Sequence, residues 1–212
     1  MSSAEERQLR QEMCRWGASL FARGYTAGSS GNLSARLDDG FLVTPTNSCL
    51  GFLDPDGLTR LDRSGRVVSG DPPTKEVPLH LAFYEGRPQA GGVVHLHSTY
   101  ATVLSCLEDT DPLDAIPALT PYVVMRVGRV PLLRYTQPGS SEIVPEIRAK
   151  APEHAAVLLG NHGPVVSGPT FRDAVFAAEE LEEAARLNFL VRGLPGRLLP
   201  PEAVAELRRR WS

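Results

Sequence analysis

The sequence predicts an α/β domain in which helices cover a sheet. Three observations carry this. Helical periodicity marks a long run near each end. Short apolar runs at 92–96 and 155–159 are bounded by turn residues and read as buried strands. Helix and strand signals are intermixed without a regular βαβ beat or an internal repeat. The chain has 212 residues, enough for one domain with a real core. Residues 1–212 are therefore expected to form one domain.

The elements follow in order. Ser3 with Glu6 resembles a capping box. Leu9, Met13, Trp16 and Leu20 then recur at helical spacing until Gly24, which predicts a helix over 3–23. Residues 28–34, GSSGNLS, form a turn leading into short strands near Leu33–Arg36 and Phe41–Thr44. DPDG and DRSG within 54–70 predict a meander. Pro72-Pro73-Thr74 is expected to open a helix, with Thr74 as its cap and Pro78 near its first turn. A strand over 92–96 precedes a helix over 99–107, and 109–121 is a loop with three prolines. The strand at 155–159 ends in Gly160-Asn161-His162-Gly163-Pro164. A long helix follows over 169–192, with Phe171, Val175, Ala178, Leu181 and Ala185 as its apolar stripe, and a last helix spans 201–210.

Composition narrows the function classes. Apolar residues are 42%, charged residues 22% and net charge is −3, so the chain is neither disordered nor fibrous. With no excess of Lys and Arg to neutralise phosphates, a general nucleic-acid binder is excluded. The longest stretch without Asp, Glu, Lys or Arg, Pro88–Leu107, holds Gln, two His and several Ser and Thr, and fails as a membrane span. The charged start MSSAEERQLRQEM has no apolar core of a signal peptide. Cys14, Cys49 and Cys106 have neither CxxC nor metal spacing and read as reduced thiols. The expected location is cytoplasmic.

Four residues point to a metal. His95 and His97 lie two apart on a strand, so both imidazoles face one way. That suits two ligands of one divalent ion, or two packed histidines. His162 follows the next buried strand and could complete a His₃ site with an open fourth position. Glu76 sits near a helix start, where the dipole alone would favour it. Beside a metal it would act as general acid or base. Gly31-Asn32, Thr46-Asn47-Ser48 and Thr74-Lys75 offer donors of the kind that hold phosphate. His80 reads as a packing residue or a partner behind the site. His154 reads as exposed.

In order, GSSGNLSARL, LVTPTNS, PPTKEVPLHLAFYEGRP, AGGVVHLHSTYATVLS and LLGNHGPVVSG resemble the class II aldolase/adducin family over roughly 8–192. The resemblance implies a three-layer α/β/α sandwich around a mostly antiparallel sheet, and a homotetramer. It implies zinc, or another divalent ion, on His95, His97 and His162. Glu76 would be catalytic acid/base and would touch the metal when no substrate is bound. Gly31, Asn32, Thr46, Asn47, Thr74 and Lys75 would contact phosphate. Tyr122, from a neighbouring subunit, would assist proton transfer.

Two departures from the aldolase pattern refine the expectation. Thr74-Lys75 replaces a serine pair, and Asn47 replaces a glycine. A lysine beside the metal suits a second anionic group on the substrate. PTKEVPLHLAFYEGRP and LTPYVVMRVG look most like the family's decarboxylase branch, which converts a 3-oxo-tetronate 4-phosphate to dihydroxyacetone phosphate and CO₂ in acid-sugar catabolism. Losing CO₂ from such a β-keto acid leaves an enediolate, whose charge a Lewis acid stabilises. Retro-aldol cleavage passes through the same species. A sugar-phosphate aldolase or 4-epimerase is therefore the alternative within enzymes, and a non-catalytic adducin-like module the alternative outside them.

Overall fold

A computed structural model describes residues 3–211. Helix α1 (Ser3–Ala22) leads into β1 (Asn32–Leu37) and β2 (Gly40–Val43), and Ser3 is already helical. The predicted meander is β3 (Thr59–Asp62) and β4 (Val67–Ser69), ahead of α2 (Val77–Gly86), β5 (Gly92–His95) and α3 (Thr99–Ser105). Then come α4 (Pro121–Arg126), β6 (Leu132–Leu133), α5 (Val144–Lys150), β7 (Ala156–Leu159) and β8 (Gly163–Gly168). Helices α6 (Phe171–Leu190) and α7 (Pro201–Trp211) end the described chain.

The strands form one sheet in the order β4-β3-β2-β1-β5-β8-β7-β6. Every adjacent pair is antiparallel except β6 with β7. Strand residues alternate between two cores, as a sheet buried on both faces requires. Val94, Ala156, Leu158 and Val166 pack toward Met13 and Leu20 of α1, Ala101 and Leu104 of α3, and the stripe of α6. Val93, Val157, Leu159 and Val165 pack on the other side against Leu79 and Phe83 of α2 and Ile147 of α5. This is the expected α/β/α sandwich. Burying one large side chain such as Phe83 contributes about 1.5–3 kcal/mol.

Two expectations need correction. Helix α2 begins at Val77, not at Thr74, and Glu76 takes the cap position. The reason is that 72–74 is held extended. The Thr46 N–H donates to the Pro72 carbonyl and the Thr74 N–H to the Thr44 carbonyl, with Pro45 and Pro73 bridged between them. The second correction is β8, which the sequence reading leaves unassigned between turn and helix. It pairs with both β7 and β5, and Gly160–His162 is a hairpin turn. Helices α4 and α5 and strand β6 also go unread.

Candidate metal centre

The sheet builds the site at the joined ends of its central strands. In the antiparallel pairing of β1 with β5, Asn32 lies opposite His95. In the pairing of β5 with β8, His95 lies opposite Val165, just past the His162 turn. His95 follows the alternation of Val93 and so faces α2, whose cap residue is Glu76. The chain must run tightly here. A Cβ on Gly31 would stand 2.9 Å from the His95 carbonyl oxygen, and Gly31 also has φ +80°. A Cβ on Gly163 would lie 2.3 Å from the Leu96 carbonyl oxygen.

Three imidazole nitrogens converge. His95 Nε2 lies 3.2 Å from His97 Nε2 and 3.3 Å from His162 Nε2, and the last two are 3.0 Å apart. Glu76 Oε2 is 3.3 Å from His95 Nε2, and Oε1 is 3.7 Å from His162 Nε2. Four donors from three parts of the chain thus lie within 4.8 Å of one another. A tetrahedral ion with arms of about 2.0–2.1 Å needs nitrogens about 3.3 Å apart, so the three histidines fit one. The tautomer of His95 agrees. Its Nδ1–H donates to the Pro164 carbonyl at 2.9 Å, which leaves Nε2 with a free lone pair. The bland alternative of separately packed histidines does not describe this arrangement.

The surroundings keep the ligands in their binding forms. Burial, reinforced by His95 and opposed by Glu76, pushes His97 and His162 down to about 4. Burial disfavours the charged Glu76 carboxyl, and the Asn32 hydrogen bond opposes that effect. Asn32 Nδ2 donates to Glu76 Oε2 at 2.8 Å.

A cleft of about 160 Å³ opens over these groups. Gly31, Asn32, Thr46, Asn47, Thr74 and Lys75 all line it, beside Glu76, His97 and His162. The clamp between 44–46 and 72–74 explains why two loops far apart in sequence share this wall. Asn47 has φ 54°, a left-handed conformation that asparagine tolerates better than most residues. Sequence reasoning missed Pro138 and Gly139, which also line the cleft, Gly139 against Lys75. Their only signal is a QPGS turn. Tyr122 does not line the cleft of its own chain. It stands on the first turn of α4 and is 56% exposed. His80 is buried behind the site and bonded at both ring nitrogens. His154 is part-buried, not exposed, and its Nδ1 meets the Arg129 carbonyl oxygen.

Known proteins resemble the whole chain. Residues 11–189 match the model of the class II aldolase and adducin N-terminal domain. The 3-oxo-tetronate 4-phosphate decarboxylase of Pectobacterium atrosepticum is 50% identical over 207 residues, covering 97% of this chain and 95% of that one. The decarboxylase of the same name from Escherichia coli K12 is 50% identical over 204 residues, 96% of each. An L-fuculose phosphate aldolase of Methanococcus maripaludis is 32% identical, covering 82% of this chain and 93% of that one. Among solved structures, YgbL from Klebsiella pneumoniae superposes with TM-score 0.93 at 50% identity, covering 96% of this chain and 99% of that one. An L-fuculose 1-phosphate aldolase gives 0.88 at 27% identity, covering 99% and 97%.

Proposed function

The chain belongs to the class II aldolase and adducin family, and on that footing we propose that it is a metal-dependent carboxy-lyase. It decarboxylates a 3-oxo-tetronate 4-phosphate to dihydroxyacetone phosphate and CO₂, in acid-sugar catabolism. The observation that carries this reading is near-full-length identity of 50% to decarboxylases of that name, against 32% to the aldolase. The four assembled donors support an enzyme over an adducin-like module.

His95, His97 and His162 would hold a divalent ion, with Glu76 completing the set before substrate arrives. We assign zinc, which suits three imidazoles and an open position. Once bound, the ion supplies Lewis-acid stabilisation of negative charge on the substrate oxygens. The protein's own groups do the rest. Lys75, with Gly31, Asn32, Thr46, Asn47 and Thr74, would orient the two anionic ends. The C1–C2 bond breaks, CO₂ leaves and the electron pair remains on C2 and its neighbouring oxygens. Glu76 takes up a proton and delivers it to C2, the net proton coming from solvent. Tyr122 would reach the same carbon from the next subunit of a homotetramer, which its exposed place on α4 permits.

Residues 1–212 are read as one domain of this kind. The three cysteines are free, which fits a reducing cytoplasmic setting. No helix among the described residues is long and apolar enough to cross a membrane. The test is product analysis with 3-oxo-tetronate 4-phosphate. Stoichiometric CO₂ and dihydroxyacetone phosphate support the reading. No CO₂, together with aldehyde release from L-fuculose 1-phosphate, would replace it with the aldolase.

A further inference from the structure

Behind Glu76 a line of polar side chains runs into the core. Asn32 Nδ2 meets Glu76 Oε2 at 2.8 Å, and Asn32 Oδ1 meets His80 Nε2 at 2.6 Å. His80 Nδ1 meets Ser34 Oγ at 2.7 Å, and Ser34 Oγ meets the Tyr84 hydroxyl at 2.9 Å. All four residues behind Glu76 are buried, and His80 and Ser34 are wholly so. They share one surface because Asn32 and Ser34 point to the same face of β1, and His80 and Tyr84 lie one turn apart on α2.

Each hydrogen bond in this line has one permitted direction. A carboxylate only accepts, so the NH₂ of Asn32 faces Glu76. Its carbonyl oxygen therefore faces His80, whose Nε2 must carry the ring proton. The neutral ring then accepts at Nδ1, so Ser34 donates there, and Tyr84 donates to Ser34. Turning the Asn32 amide over would set two acceptors together at one end and two donors at the other. Burial keeps the ring neutral, which the direction requires.

We propose that His80 is a positioning residue: through the chain Tyr84–Ser34–His80–Asn32 it locks the Asn32 amide toward Glu76 and so sets the orientation of the Glu76 carboxylate. The inference rests on the metal-centre reading above, not on the identity of the substrate. A structural role alone predicts that any substitution at His80 is judged by volume. The chain predicts that it is judged by which end keeps its partner. Glutamine reaches Asn32 with an amide N–H, whereas asparagine ends near the position of Nδ1 and leaves Asn32 without a donor.

The test compares His80→Gln with His80→Asn in the full chain. Metal-free protein is titrated with cobalt(II), whose visible bands report its coordination, with Glu76→Gln as the reference. Expected is a His80→Gln spectrum close to wild type and a His80→Asn spectrum displaced toward that of Glu76→Gln. In turnover, His80→Asn should lower kcat at least tenfold with KM within about threefold, and His80→Gln should recover most of it. Equal behaviour of the two variants overturns the proposal. Should His80→Asn not fold, ring ¹⁵N shifts of His80 in the wild type decide. The Nε2–H tautomer is expected, and an Nδ1–H or charged ring overturns it. Absence of cobalt binding by the wild type would instead sink the metal-centre reading, with the ring shifts still judging the chain.

Discussion

Asn32 and His95 are direct cross-strand partners in the pairing of β1 with β5. One residue belongs to the phosphate-type loop and the other to the metal set. A slip of one residue would turn one of them to the opposite core and part the pair. Binding wall and ligand cage therefore share a single register.

Replacing His95 with alanine removes the central ligand of the trio. Metal content, measured by mass spectrometry on purified protein, should fall below about a tenth of an equivalent, with turnover down by about 10³-fold or more. A stoichiometric ion in that variant would show that the histidines are not its ligands.

Glu76→Gln keeps the shape of the side chain and its reach to Asn32. The ion should stay bound while kcat drops by about 10²–10⁴-fold, the usual range for a lost general acid or base. Full CO₂ release from this variant would remove Glu76 from the proton path.

Lys75 is exposed and lines the cleft, with no ion pair among the described residues. Hydrogen bonds to charged groups contribute about 1.5–3 kcal/mol, so Lys75→Ala should raise KM about 10- to 100-fold. Inorganic phosphate should also inhibit this variant more weakly. An unchanged KM would place the anionic groups elsewhere.

Gly31→Ala tests the tight turn. The added Cβ meets the His95 carbonyl oxygen at 2.9 Å in a left-handed backbone. A loss of more than about 1 kcal/mol is expected in denaturant unfolding, with weakened metal binding. Wild-type values for both would mean that the turn is freely remodelled.

Acid stability follows from His80. Its folded pKa is pushed by burial to about 3, below the ordinary 6.5. The unfolded chain thus binds the extra proton first, and stability is lost as pH falls below about 6.5. By pH 5 this one ring costs about 2 kcal/mol. Metal-free protein should lose stability between pH 7 and 5, and His80→Gln should flatten that slope. An identical slope in the variant would mean that His80 protonates without unfolding.

The ligands were legible because their spacing is local. HxH needs only a two-residue period, which His97 keeps although β5 ends at His95, and the glutamate and the third histidine sit in short motifs. Strand β8 was not legible, since Pro164 in GPVVSG reads against a strand. The fold tolerates it because Pro164 contributes its carbonyl, which accepts from both His95 Nδ1 and the Leu96 N–H. Helix α2 starts later than its sequence suggests because the extended 72–74 segment depends on a partner loop near residue 45. Nor could the His80 chain be read, as it needs the register of β1 and the seating of α2 together. Helices α4 and α5 each carry proline in the first turn and only six or seven residues, too few for periodicity.

The hairpin β7–β8 brings His162 back beside a histidine 67 residues earlier. The cage is consequently a late product of folding. No fragment short of the α2 cap joined to paired β5 and β8 contains all four donors, so a nascent chain lacks the complete cage. Loading then discriminates finished molecules from unfinished ones. Chelation should empty the cage and leave both cores standing, unlike small domains that collapse without zinc.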